Sequence, residues 1–150
     1  MQVTAQIDYG VRAMIEIAAG EGRASGSEIA AAQGIPAKFL ESILLRLRRG
    51  GLLVARRGVA GGYELARPAD TISVADVIRV LDGPLAAVRG MPPEDAEYPE
   101  SAARLRDLWV ALRAAMREVL EATTLADIAG GALPPHVQQL LASDDAWVRR

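Results

Sequence analysis

The side chains with the clearest chemical purpose lie in one short stretch. At about 100° of rotation per helical residue, Lys38, Ser42, Leu45 and Arg49 share one side of residues 37–49, with Phe39 near its start and Glu41 and Arg46 flanking it. Opposite them Leu40, Ile43, Leu44 and Leu47 recur at i, i+3, i+4 and i+7, a stripe that must pack inward. A helix divided in this way keeps one edge in a core and turns a polar, cationic face to water, which is the chemistry of a groove reader. Lysine and arginine reach guanine edges or phosphates, a carboxylate accepts from a cytosine amino group, and Leu45 suits a thymine methyl. Glu41 is the one acid on that side. Phosphates repel it, so it is expected to discriminate between sequences rather than to anchor; the alternative is an ion pair with Lys38 or Arg48 along the helix.

A second cluster follows. Residues 56–65 read as a hairpin with the tip Arg57-Gly58-Val59-Ala60-Gly61-Gly62-Tyr63. Gly58, Gly61 and Gly62 allow backbone angles and close approaches that a Cβ would block, and Arg57 beside them suits a narrow, electronegative groove. Charge is distributed to match. Residues 38–67 carry seven basic side chains (Lys38, Arg46, Arg48, Arg49, Arg56, Arg57 and Arg67) against Glu41 and Glu64, a net of +5, in a chain whose formal net charge is −2. An acidic protein with one basic block has a phosphate-facing surface, because counterion release supplies much of DNA affinity.

The elements that must position these groups are legible on either side. Residues 5–19 form a helix with Ile7, Val11, Met14, Ile15 and Ala18 on one stripe, stopped by Gly20-Glu21-Gly22. Ser25 and Glu28 have capping-box spacing at the start of a second helix that Gly34 closes in a left-handed conformation. Pro36 belongs in the first turn of the third helix. Two helices around a Gly-Ile-Pro turn, followed by a glycine-tipped hairpin, make a winged helix-turn-helix. Ser73 and Asp76 cap a further helix carrying Val74, Val77, Ile78 and Leu81, which Gly83-Pro84 ends. Residues 1–83 are therefore expected to be the DNA-binding domain, mainly α with a small β-hairpin wing.

Residues 84–100 lose periodicity. Pro92, Pro93 and Pro99 break it, and Glu94, Asp95, Glu97 and Glu100 make an acidic loop, expected to be mobile on its own and to serve as a connector or, alternatively, a sensor or docking loop. A long helix follows over residues 101–122. Its apolar positions, Leu105, Leu108, Trp109, Leu112, Ala115, Met116, Val119 and Leu120, form an unbroken series of three- and four-residue steps. A helix of some 20 residues spans about 30 Å, more than a small helical module covers by itself. Leu105, Leu108, Trp109, Leu112, Met116 and Val119 are thus candidates for a dimer interface, and residues 101–131, which include a short helix capped by Thr124 and Asp127, for a dimerisation region. Residues 132–150 form an extension: one or two turns over 134–142, a tail from 143, His136 at the surface and Trp147 as a packing anchor.

Composition sets bounds. The 150 residues, 51% hydrophobic and 4% aromatic, favour a helical core of Ala, Leu, Val and Ile. Without cysteine there is no disulfide, thiolate metal site or cysteine nucleophile. No run reaches transmembrane length and no basic-then-apolar leader opens the chain, so a cytoplasmic location is expected. No His/Asp/Ser or paired-carboxylate constellation suggests an enzyme.

These motifs together resemble the Rrf-two family of bacterial winged-helix transcription regulators, over roughly residues 1–130. The likeness rests on Asp8-Tyr9-Gly10-Val11-Arg12-Ala13-Met14, Phe39-Leu40-Glu41, Leu47-Arg48-Arg49-Gly50-Gly51-Leu52, Arg57-Gly58, Gly61-Gly62-Tyr63, Leu65-Ala66-Arg67-Pro68, Ile72-Ser73-Val74-Ala75-Asp76-Val77-Ile78 and Thr124-Leu125-Ala126-Asp127. The resemblance implies a homodimer with a long crossing helix, Arg57 in the minor groove and base contacts around Lys38, Glu41 and Ser42. It also marks departures. Cluster-binding relatives place cysteines in the segment corresponding to residues 85–103, where this chain has neither cysteine nor histidine; Asp8, which falls at an acidic-ligand position of some relatives, reads as a helix-start carboxylate. Val59-Ala60 stands where relatives usually have Pro-Gly. The expectation is a homodimeric repressor of double-stranded DNA at a palindromic operator, with no metal or cofactor, answering to a small molecule, a protein partner or its own level. The alternative is a protein-interaction module that kept the fold, for which the basic block would have no use.

Overall fold

The computed structural model describes residues 2–20 and 22–149; Met1, Arg150 and Glu21, the middle of the expected helix stop, lie outside them. Helix α1 (Ala5–Ala19) is capped by Thr4, whose hydroxyl accepts from the Ile7 N–H at 3.3 Å. Its buried residues are Ile7, Gly10, Ala13, Met14 and Ile17, whereas Val11, Ile15 and Ala18 are half-buried. The expected stripe is rotated because α1 is enclosed by α2 (Gly26–Gln33), α3 (Ala37–Arg49), α4 (Val74–Asp82) and α6 (Leu125–Ala129), which together cover more than one face.

Three antiparallel strands flank this bundle: β1 (Arg23–Ala24), β2 (Leu53–Arg56) and β3 (Gly62–Leu65), in the order β1-β3-β2. The wing hairpin β2–β3 pairs Val54 with Glu64 and Arg56 with Gly62, and β1 adds Arg23 opposite Glu64. β1 was not foreseen, since two residues are too few to show an alternation. The core of α1, α2, α3 and α4 is closed by Ile72 and Leu125, both fully buried. Here the chain is stitched to itself: the Leu125 N–H donates to the Ile72 carbonyl and the Val74 N–H to the Thr123 carbonyl, each at 2.9 Å. Ser73 with Asp76, and Thr124 with Asp127, form the expected capping boxes side by side.

The segment 84–100 differs from expectation. Rather than a mobile loop, it is folded onto α5 (Arg104–Leu120): Pro93 and Ala96 are buried, the Trp109 Nε1–H donates to the Tyr98 hydroxyl at 3.0 Å, and Arg113 pairs with Glu94 at 2.6 Å. Prolines that break a long helix also preset φ for short 3₁₀ turns, here Pro93–Asp95 and Glu100–Ala102, and the cation that orders Glu94 lies nineteen positions away on another element. α5 accordingly starts at Arg104, after the second of these turns. Pro36 stands at the N-cap of α3, one position before the first turn.

At the C-terminal end, α7 (Pro135–Leu141) is seated by Val137, and His136 Nε2 lies 2.8 Å from the Glu118 carbonyl of α5. Trp147 is not a packing anchor. It is 71% exposed, because the tail makes one 3₁₀ turn that lets the indole N–H donate to the Leu141 carbonyl while the ring stays over solvent. Among the described residues no helix is long and apolar enough to cross a membrane.

α4 closes over the end of α3 at Gly50, where an added Cβ would lie 2.5 Å from Val80 Cγ1 and 2.7 Å from Cγ2. The φ of −77° there is open to any residue, so the demand for glycine is steric. Gly50→Ala is expected to lower stability by about 1–3 kcal/mol in urea unfolding. The double variant with Val80→Ala should lose less than the two single losses added together; strict additivity would remove the steric explanation.

Candidate nucleic-acid interface

The helix-turn-helix is set by local chemistry. The Ser25 N–H and hydroxyl donate to the Glu28 carboxylate at 2.7 Å while Ser25 Oγ accepts from the Glu28 N–H, and these bonds from Ser25 hold the Glu28 carboxyl below the ordinary carboxylate value. The cap of α2 is therefore intact at neutral pH. Gly34 turns the chain left-handed at φ 62°, and Ile35, 4% exposed, plugs the turn into the core. From behind, Arg12 of α1 donates to the Gln33 backbone carbonyl and to Gln33 Oε1, pairs with Asp8 at 3.2 Å and lies over the Tyr9 ring at 5.6 Å. Tyr9 in turn meets Phe39 edge to face at 5.7 Å. One guanidinium thus ties the end of α2, through an aromatic pair, to the first turn of α3. Apart from its i,i+4 spacing to Asp8, Arg12 carries no sequence signal for this role, since Gln33 lies on another helix.

α3 then divides as its pattern requires. Leu40, Ile43, Leu44 and Leu47 are each at most 1% exposed, and Lys38, Phe39, Glu41, Ser42, Arg46 and Arg49 are exposed, with Leu45 half-buried. Their hydrogen bonds sort them further. Ser42 Oγ donates to the Phe39 carbonyl at 2.8 Å, which leaves its lone pairs to accept from a base or a water. Glu41 makes no ion pair with Lys38 or Arg48, so its carboxylate faces solvent without a partner among the described residues.

The seven cations of the basic block separate the same way. Arg46 donates to the Leu81 and Val80 carbonyls at the end of α4, Arg56 pairs with Glu64 at 3.1 Å, and Arg67 with Asp76 at 2.7 Å. Lys38, Arg48, Arg49 and Arg57 have no partner among the described residues. Charges with no internal partner are the ones available to phosphates, and three of these four lie on α3.

Arg57 and Gly58 are exposed at the wing tip; Gly61, Gly62 and Tyr63 are half-buried at its base. Gly61 donates to the Gly58 carbonyl at 2.9 Å, closing the tip, and Gly62 at φ 149° lets β3 pass so near β1 that a Cβ would lie 2.8 Å from the Ala24 carbonyl. Tyr63 packs on the core and supports the wing from inside. One residue of this unit carries no signal in the sequence. Arg23 donates to the Ala60 carbonyl and, with Arg56, clamps Glu64, so the tip that carries Arg57 is braced from β1.

The chain matches a family model, Rrf2, described as an iron-dependent transcriptional regulator, over residues 3–131. A Mycobacterium tuberculosis (strain H37Rv) protein named as an HTH-type transcriptional regulator is 53% identical over 145 residues, covering 93% of this chain and 88% of its own. The HTH-type transcriptional regulator CymR of Bacillus subtilis (strain 168) is 40% identical over 131 residues, covering 86% and 90%. The solved structure of CymR, described as the global cysteine regulator of B. subtilis, superposes with a TM-score of 0.74 at 38% identity over 88% of this chain and 98% of that one. That of T. potens IscR gives 0.69 at 31% identity over 99% and 97%.

The iron in the family description finds no matching donor set here. Cysteine is absent, Asp8 is paired with Arg12, His136 is against a backbone carbonyl, and among the described residues no three His, Asp or Glu side chains are grouped to hold a metal ion. What the chain shares with its relatives is the winged helix and its use, and it belongs to the Rrf2 (Rrf-two) family of DNA-binding transcriptional regulators.

Proposed function

We propose that the protein is a cytoplasmic, homodimeric repressor that binds an inverted-repeat operator without an iron–sulfur cluster. α3 enters the major groove, Lys38, Arg48 and Arg49 meet phosphates and guanine edges, and Arg57 reaches the neighbouring minor groove. The observation that carries this is the division of the basic block: the four cations with no internal partner all belong to α3 and the wing tip.

The dimer rests on α5. Its 17 residues include none that is buried in the single chain, and Leu105, Leu108 and Leu112 are 37%, 55% and 44% exposed on a stripe continued by half-buried Trp109, Met116 and Val119. The stripe borders an apolar cleft of about 680 Å³ that also takes Leu85 and Val88. An unburied apolar helix of about 26 Å needs a partner, and a second copy supplies the two-fold symmetry that an inverted repeat demands.

Selection of bound fragments from a random DNA pool tests the whole reading: a single inverted repeat should be enriched, and a pool left unenriched would end it. On that operator Arg57→Ala should weaken binding by about 1–3 kcal/mol, and unchanged binding would remove the wing from the groove. Glu41→Ala should leave or raise affinity for unrelated DNA while relaxing one position of each half-site by about 1–3 kcal/mol. A uniform change at every position would refute the discriminator role. Leu112→Glu should turn the dimer into a monomer in sedimentation, since it puts a carboxylate into the stripe; an intact dimer would move the interface elsewhere.

A further inference from the structure

Behind the folded 84–100 segment lies a second crevice, of about 440 Å³, and its walls carry an unusual charge pattern. Arg79 of α4 and Arg113 and Arg117 of α5 all line it, with Glu94 as the one carboxylate. Arg113 and Arg117 are one helical turn apart, a like-charge pair that destabilises a helix unless an anion lies between or beside them. Internal acceptors are few. One oxygen of Glu121 serves both Arg79 and Arg117, Asp76 Oδ1 lies 3.6 Å from Arg79, and Glu94 Oε2 reaches Arg113 at 2.6 Å. Three guanidiniums offer about fifteen N–H donors, more than these three carboxylates, of which Asp76 is shared with Arg67, can satisfy. Leu85, Met91 and Pro92 complete the walls, so the crevice suits an anion with a short apolar body.

Glu94 shows which anion. Its segment is a folded strap: Val88 and Met91 pair across a turn in which Arg89, at φ 54°, is the one non-glycine with positive φ among the described residues, and Arg89 lies over the Tyr98 ring and donates to the Glu97 carbonyl. The strap delivers a carboxylate to Arg113, whose side chain is only 25% exposed, while Glu94 itself is 52% exposed and has room to leave. The hydrogen bond from Arg113 also holds the Glu94 carboxyl below its ordinary value, so the occupant is an ionised carboxylate at neutral pH. We propose that this crevice is a binding site for a small carboxylate-bearing metabolite, held by Arg113 with Arg79 and Arg117, and that Glu94 is the built-in competitor it displaces.

Displacement loosens the strap from α5 at a place that touches the reading head. Arg79 lies two residues before Leu81, whose carbonyl accepts from Arg46 of α3 and from Gln6 of α1. Ligand binding therefore biases the seat of α3 through the end of α4. This regulatory step rests on the reading of the protein as a DNA-binding regulator; the site itself does not.

Calorimetric titration of the DNA-free dimer at low salt, with acetate and succinate as probes and succinamide as the uncharged control, tests the site. Succinate should bind, Glu94→Gln should bind it at least tenfold more tightly, Glu94→Asp should fall between, and Arg113→Gln should lose binding while melting as a folded protein. Absence of binding by both Glu94 variants, or undiminished binding by Arg113→Gln, overturns the site. Operator titrations with and without succinate then separate the claims. An operator affinity that ignores bound succinate overturns the regulatory step, and a protein that binds succinate but no DNA overturns the regulator reading while leaving the site in place.

Discussion

The burial of Leu40, Ile43, Leu44 and Leu47 is the contact on which the rest of the molecule depends. Fully burying each of these side chains contributes about 1.5–3 kcal/mol, and only with that edge fixed can the other edge of α3 remain cationic and unpartnered. The cost of holding like charges together on α3 is met on the opposite face, by α1 and its neighbours. Other features serve the same end. Arg12 sets the start of α3, Arg46 and the bare Gly50 set its end against α4, and the Arg23–Glu64–Arg56 clamp holds the wing beside it.

The sequence declared some of this and concealed the rest, for physical reasons. α3 was legible because its periodicity is strong and its two faces differ in charge. The capping boxes at Ser25, Ser73 and Thr124 were legible because each is a contract between residues three apart. What could not be read is what depends on distant partners: the β1 strand, the Arg12 clamp, and the order of residues 84–100, where proline and acid suggest disorder until Arg113 and Trp109 are brought alongside. The same holds for the candidate site. Sequence named seven cations, and only the fold shows that Arg46, Arg56 and Arg67 are engaged internally.

The division between engaged and unengaged groups also recasts how the chain resembles its relatives. Membership in the family fixes the winged helix and its use on DNA. The strap beyond α4 is independent of that reader in composition, holding proline-braced turns, an ion pair and a tryptophan–tyrosine hydrogen bond.

That independence has a structural origin in the stitch between Ile72 and Leu125. The chain leaves this stitch at Val74 and returns to it at Thr123 through adjacent backbone hydrogen bonds, so α4, the strap and α5 form a closed excursion whose two feet stand together. α4 and the end of α5, whose Met116 and Leu120 pack against Ala75 and Ile78, stay with the core, but the part between them can lengthen, shorten or change its side chains without moving either foot. Such an insertion behaves as an exchangeable cartridge: one reader of DNA can be refitted with new inputs by changing only residues between fixed sockets, and diversity of response accumulates without renegotiating the fold.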